Sequence, residues 1–201
     1  MRNIIPYILL ISIFVFGCQK EDTEEKVDTL PLTTEAQIAF GYLNDVRNNP
    51  SIYSEEIGVD LSDVDSIHPF NWNNKLANAA QKKAEDMATR NYFDHFTPEG
   101  LSPCELAEQE GYVFPEDWPD TDKYNYIESI SGGSSKLGKE HIINLIFDNG
   151  LPHFEEGTNH RSHLLGMKEF WVNHTDIGIG FAYNEESDYK GYLVVFTGIQ
   201  E

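Results

Sequence analysis

The chain of 201 residues has little cysteine and little positive charge, and no apolar run in it is long enough to cross a bilayer. It contains two cysteines, and its 14 basic residues stand against 34 acidic ones, which gives a formal net charge of -20. This charge repels nucleic acid phosphates, so we expect no nucleic acid partner. An extracellular protein of this charge gains solubility from it.

The N-terminus has the layout of a secretory signal peptide. A basic residue precedes an apolar run from Ile4 to Phe16, and Gly17-Cys18 follows. A membrane-spanning helix needs roughly 20 apolar residues, and this run stops sooner, before a polar, acidic stretch. Residues 1–17 are therefore predicted to be a cleaved signal peptide.

Cys18 closes a segment, Val15-Phe16-Gly17-Cys18, that resembles a bacterial lipobox. The resemblance implies that Cys18 is acylated, becomes the mature N-terminus and anchors the protein to a bacterial membrane. Secretion with an incidental cysteine and a buried N-terminal helix are the alternatives. Once Cys18 is acylated, Cys104 is the only remaining cysteine, so no intrachain disulfide can form.

Residues 18–32 are acidic and have no hydrophobic periodicity, which is typical of a flexible tether. The stretch Gln19-Lys20-Glu21-Asp22 looks like the acidic signal that sends some lipoproteins outward. We therefore expect an extracytoplasmic protein held at the outer membrane and exposed at the surface.

The remaining residues, 33–201, are enough for one domain with a sizeable core. Four helices are predicted in them from capping residues and apolar spacing. The first is capped by Thr34 and stops before Pro50, the second is capped by Asn74 and has an alanine-rich apolar face, the third is capped by Ser102, and the fourth runs from Lys139 to Phe147. Ile38 is expected on the apolar face of the first.

The strand signals lie mostly after the helices. A strand is predicted around Tyr124 to Ile130, followed by a flexible loop from Ser131 to Ser135. Alternating residues from Asp176 to Tyr183 and a β-rich run from Lys190 to Thr197 predict a terminal hairpin. Helices first and strands last favour an α+β layered domain over a doubly wound parallel sheet.

Five stretches occur in an order that resembles the CAP superfamily, also called SCP-like, of cysteine-rich secretory proteins, antigen 5 and pathogenesis-related proteins. The stretches are Leu43–Pro50, Asn91–Gly100, Ile127–Ile130, Asn159–Gly166 and Ile177–Tyr183. Each one is a weak signal alone, but the five occur in the family's order and are spread over nearly the whole mature chain. The resemblance implies a three-layer α-β-α sandwich with a central, mainly antiparallel sheet.

The same resemblance implies a central cleft with two histidines and two acidic residues. His95 and His160 match the histidines, Glu128 matches the acidic residue of the family's Glu-Asn-Ile strand, and Asp148 is the best match for the second acidic residue. The chain departs from the family pattern where Ser129 and His163 replace asparagines. Asp148 also replaces the more common, longer glutamate.

Two imidazoles with one or two carboxylates suit zinc or a similar divalent cation. A water in an open position of such a site is acidified, and Glu128 or Asp148 would then take its proton, which is the chemistry of a metal-dependent, peptidase-like hydrolase. The alternative is a hydrogen-bonded polar cluster that orders the cleft without turnover.

Two further residues are candidates for the site. His163 lies three residues after His160 and is either another cleft residue or a packing or surface histidine. Cys104, in the first turn of a predicted helix, is either a small buried residue or the nucleophile of a Cys/His hydrolase. The sequence leaves three functions open: binding of a lipid, peptide or glycan, hydrolysis of one, or interaction with a protein partner.

Overall fold

The computed structural model describes residues 34–119, 124–150 and 159–199, so the predicted signal peptide, Cys18 and the tether lie outside the described residues. The helices are α1 (Glu35–Asn48), α2 (Ser54–Ile57), α3 (Asn74–Arg90), α4 (Pro103–Gln109), α5 (Gly138–Phe147), α6 (Asn159–Leu164) and α7 (Glu169–Val172), and the strands are β1 (Asn71–Trp72), β2 (Glu128–Gly133), β3 (Asp176–Tyr183) and β4 (Gly191–Gly198). Within these ranges, no helix has both the length and the apolar character to cross a bilayer.

The predicted helix caps are confirmed with small corrections. Thr34 and Ser102 each accept a hydrogen bond from the backbone three residues on, and both capping boxes are complete. Asn73, not Asn74, caps α3, since its side chain accepts from the first backbone N–H groups of the helix. Ile38 was wrongly placed on the apolar face of α1, because its side chain is exposed.

The sheet is mainly antiparallel, as predicted. Its strand order is β1-β3-β4-β2. The hairpin of β3 and β4 is antiparallel with Ile179 opposite Val195, and β2 adds to β4 with Glu128 opposite Phe196. The two-residue strand β1, which the sequence did not signal, pairs in parallel with the start of β3.

Alternate residues of β4 enter two separate cores, and this makes the domain a three-layer α-β-α sandwich. Leu193 and Val195 pack with α1 and α5 on one face of the sheet. Tyr192, Val194 and Phe196 pack with α3 and α4 on the other face.

Glycines in β3 let α3 lie directly on the sheet. Gly178 and Gly180 alternate with the buried residues Ile177 and Ile179. A Cβ added at either glycine would collide with the backbone of α3 around Leu76 and around Ala80. The alanine-rich face of α3 is therefore explained by this close approach, since larger side chains would hold the helix away.

The prediction for β2 was wrong at both ends. The strand begins at Glu128 and continues through Gly133, so the residues expected to start a flexible loop instead extend the sheet. Ser131 pairs with Leu193, and Gly132 lies under the rings of Tyr189 and Phe93. Gly132 therefore reflects close packing by aromatic rings, which the sequence pattern alone does not distinguish from a turn.

Candidate functional site

His95 is held by a buried carboxylate at the start of β2. Its Nδ1 lies 2.6 Å from Oε2 of Glu128. The Glu128 side chain is fully buried, whereas His95 is 35% exposed. An ionised carboxylate only accepts hydrogen bonds, so with Glu128 ionised the ring proton lies on Nδ1 and Nε2 carries the lone pair. Nδ2 of Asn125 lies 3.1 Å from the same Nδ1.

His160, near the start of α6, is paired in the same way with a carboxylate at the end of α5. Its Nδ1 lies 3.0 Å from Oδ1 of Asp148, which is 1% exposed. Oδ2 of Asp148 accepts from the backbone N–H of Arg161. Arg161 is itself buried and donates from Nε to the carbonyl of Ile146 at 2.7 Å and from Nη2 to that of Phe147 at 2.7 Å. Arg161 thus satisfies carbonyls at the C-terminus of α5 and joins α6 to it.

The four predicted residues come together as two pairs around one cleft. The cavity has a volume of about 530 Å³. It is lined by His95, Asn125, Tyr126, Glu128, Ser129, His160, His163 and Trp171. Asp148 lies behind His160 and is not part of the lining. Within the described ranges, no group of three or more histidine, cysteine or acidic side chains is close enough together to hold a metal ion.

The two residues that replace asparagines of the family pattern contact each other. Oγ of Ser129 lies 2.8 Å from Nδ1 of His163, and Nε2 of His163 lies 2.6 Å from Oγ1 of Thr197. His163 therefore lines the cleft and is buried, at 3% exposure. Thr197 Oγ1 also lies 2.7 Å from Nδ1 of His174, so a chain of hydrogen bonds runs from the cleft into the core.

Burial sets the electrostatics of this chain of hydrogen bonds. It lowers the pKa of His163 well below its ordinary value, and the neighbouring His174 and His160 lower it further. Burial also lowers the pKa of His174, to about 4. Both rings are therefore neutral near pH 7.

Burial also affects the pKa of Glu128, the carboxylate in the lining of the cleft. Burial raises its pKa, and the hydrogen bond from His95 opposes the rise. Its Oε1 is buried and has no hydrogen-bond partner among the described residues. Such an atom is costly to leave unpaired, and it is a common mark of a functional site.

Lys83, Asn125 and Trp171 also build the cleft, although they were not predicted. Lys83 is buried on α3 and donates to the carbonyl of His95 at 3.2 Å. Asn125 accepts from the N–H of Glu128 at 2.8 Å, and Trp171 donates to the carbonyl of Tyr126 at 2.9 Å. Only Lys83 left a signal, because it falls on the apolar stripe of α3 where a charged residue needs a buried partner.

Cys104 does not belong to the cleft. It is buried in α4, within the core that lies between α3 and the sheet. The residues that line the cleft come from other elements. The structure therefore supports the ordinary packing role of Cys104 over that of a nucleophile in this cleft.

The α-β-α sandwich with two histidine–carboxylate pairs around one cleft is the arrangement that the resemblance to the CAP superfamily implies. The sequence matches the profile of the CAP family, the cysteine-rich secretory protein family, over residues 40–199. The chain therefore belongs to the CAP family. No curated protein sequence matches it at a significant level.

Solved structures share the fold at low sequence identity. A venom allergen-like protein from Schistosoma mansoni matches with a TM-score of 0.50 and 14% identity over 84% of this chain and 92% of that one. An outer surface protein from Borrelia burgdorferi has a TM-score of 0.50 and 12% identity over 83% and 93%. An extracellular SCP-domain protein from Bacillus anthracis has a TM-score of 0.48 and 17% identity over 82% of this chain but only 41% of its own length.

Proposed function

We propose that the protein is an extracytoplasmic, lipid-anchored CAP domain that binds a divalent cation in its cleft and serves there as a ligand-binding or interaction module. The observation that supports the cation site is the pairing of each cleft histidine with a buried carboxylate through Nδ1. A hydrogen bond of this kind fixes the tautomer and orientation of a metal-binding histidine and raises its basicity.

The donor chemistry of the cleft supports a divalent cation that is held by two histidines and by water or ligand atoms, and not by a four-ligand cage. His95 and His160 would supply Nε2 as ligands, and zinc accepts imidazole nitrogen readily. Glu128 and Asp148 would act behind them by orienting the rings. Such a site keeps positions for water or a ligand atom, which is how a bound cation would help to hold a lipid, peptide, glycan or protein group.

Zinc titration of the purified full chain tests this site. We expect saturable binding by isothermal titration calorimetry and a rise in melting temperature with zinc. The double variant His95→Ala with His160→Ala should lose both effects. His68→Gln is the matched control, because His68 is exposed and is not part of the cleft lining.

The proposed anchor rests on the lipobox-like segment that ends at Cys18. A cleaved signal peptide and acylated Cys18 would place the domain outside the cytoplasm, on a tether formed by residues 18–32. Cells that are labelled with a lipid precursor should yield a labelled, membrane-bound protein, and Cys18→Ser should lose the label while Cys104→Ser keeps it. Unchanged labelling of Cys18→Ser would refute the anchor.

Metal-dependent hydrolysis is the second candidate function. The observation that favours it is the Glu128 carboxylate, which lines the same cleft as both histidines and would be placed to take a proton from a bound water. Hydrolysis predicts that either His95→Ala or His160→Ala, or removal of metal with a chelator, abolishes turnover of a fluorogenic peptide substrate. A binding module predicts that ligand binding survives these changes in part.

A further inference from the structure

A second cavity opens on the other side of the buried His163–Thr197–His174 chain of hydrogen bonds. It has a volume of about 650 Å³, within the usual range for small-molecule sites. Its lining includes Asp117, Trp118, Glu169, Phe170 and His174. None of these residues lines the histidine cleft, so the two cavities are separate.

Aromatic rings form the walls of the second cavity. The ring of Trp118 stacks on Phe114, with centroids 4.9 Å apart, and lies 5.2 Å from the ring of Phe170. The imidazole of His174 lies 5.3 Å from Trp118 and 4.9 Å from Phe170. Each ring is thus fixed by its neighbours, and a flat aromatic ligand would meet a preformed surface.

The lining of the second cavity is negatively charged. Asp117 and Glu169 are exposed. None of the described residues that line the cavity is a lysine or an arginine. His174 adds no positive charge near pH 7, because burial lowers its pKa to about 4. The net charge of the whole chain, -20, reinforces the local preference for a cation.

The base of the cavity also contains an unsatisfied polar group. His174 is 1% exposed, and among the described residues its Nε2 has no hydrogen-bond partner. The indole Nε1 of Trp118 is also buried and has no hydrogen-bond partner among the described residues. Buried polar atoms are rarely left unpaired in a native protein, and two of them beside one cavity indicate that a bound molecule, or water held beneath it, completes the cavity.

We propose that this cavity binds an aromatic organic cation, meaning a planar ring that carries an alkylammonium group. The ring of the ligand packs against Trp118 and Phe170. The faces of these two side chains also attract the positively charged ammonium group. The ammonium group lies towards Asp117 and Glu169. This site is distinct from the metal cleft and does not depend on the function proposed for that cleft.

Three small probes of matched size test the proposal: phenethylammonium, 2-phenylethanol and 3-phenylpropionate. They share the ring and differ in the charge of the side chain. The readout is the indole N–H resonance of Trp118 in a nuclear magnetic resonance titration of the full chain, assigned with Trp118→Phe. We expect saturable shifts with phenethylammonium, an affinity about fivefold lower for the alcohol, and still weaker binding of the carboxylate.

The carboxylates are tested by Asp117→Asn combined with Glu169→Gln, which should remove the preference for the cation over the alcohol. Glu55→Gln combined with Glu186→Gln removes the same charge from exposed positions outside the cavity and should leave the preference intact. The proposal is overturned if phenethylammonium gives no saturable shift of Trp118, if 3-phenylpropionate binds as tightly, or if the control pair weakens binding as much as the cavity pair.

Discussion

Nδ1 of His95 and Oε2 of Glu128 lie 2.6 Å apart, although 33 residues separate them in the chain. The pair joins the loop after α3 to the first residue of β2 and is repeated across the cleft by His160 and Asp148. In each pair the carboxylate is buried and the histidine is part of the cleft lining. The cation site proposed for the cleft depends on this shared geometry.

Glu128→Gln should weaken zinc binding without abolishing it. The amide is close in shape to the carboxylate but carries no charge to hold the Nδ1–H of His95, and loss of such a partner typically costs about 10- to 100-fold in metal affinity. Calorimetric titration with zinc measures the change. Glu140→Gln removes an equal charge from an exposed position of α5 and should bind zinc like the unaltered chain. Equal affinities for the two variants would show that Glu128 does not orient a metal ligand.

Gly178→Ala should destabilise the domain strongly. The new methyl group would collide with the backbone of α3, which cannot move without disturbing the packed sheet, so we expect a loss of more than about 2 kcal/mol in the free energy of unfolding. Gly41→Ala is the matched control, because Gly41 is exposed within α1 and has open space around it. That change should stabilise the helix by about 0.5–1 kcal/mol. Urea unfolding distinguishes the two, and similar stabilities would contradict the close approach of α3.

Stability should fall as the pH drops from about 6.5 towards 4. The pKa of His174 is about 4 in the folded protein, below its ordinary value of 6.5, so in this window the unfolded chain binds a proton that the folded chain does not. The stabilisation is complete above the unfolded pKa. It is lost as the pH falls through the window, by about 3 kcal/mol at most for His174 alone.

Urea unfolding at several pH values measures this effect. His174→Gln should flatten part of the slope, and His163 and His141, whose pKa values are lowered in the same direction by burial, contribute to the part that remains. If His174→Gln leaves the dependence on pH unchanged, His174 is not held neutral by the fold.

The sequence predicted the parts of the fold that are determined locally. The capping boxes at Thr34 and Ser102 are confirmed because each needs only residues within one turn. The hairpin of β3 and β4 is confirmed because its alternation matches burial on two faces. The continuation of β2 through Gly133 was missed, since it depends on pairing with β4 and on rings that are distant in sequence.

For the site, the family resemblance named the four main residues, and the structure shows how they are arranged. Motif order gives no orientation, so the pairing of Glu128 with His95 and of Asp148 with His160 had to come from the fold. Lys83 and Trp171 reach the site from α3 and α7, which no local pattern connects to it. The metal itself stays a prediction.

The proposed cation site is tested most directly by calorimetric titration with zinc of the metal-free full chain and of the His95→Ala, His160→Ala double variant. A cation site at these two histidines predicts that zinc binds saturably to the unaltered chain and to His68→Gln, and that it does not bind to the double variant. Saturable binding of equal affinity to the double variant, or no binding to the unaltered chain, would contradict it.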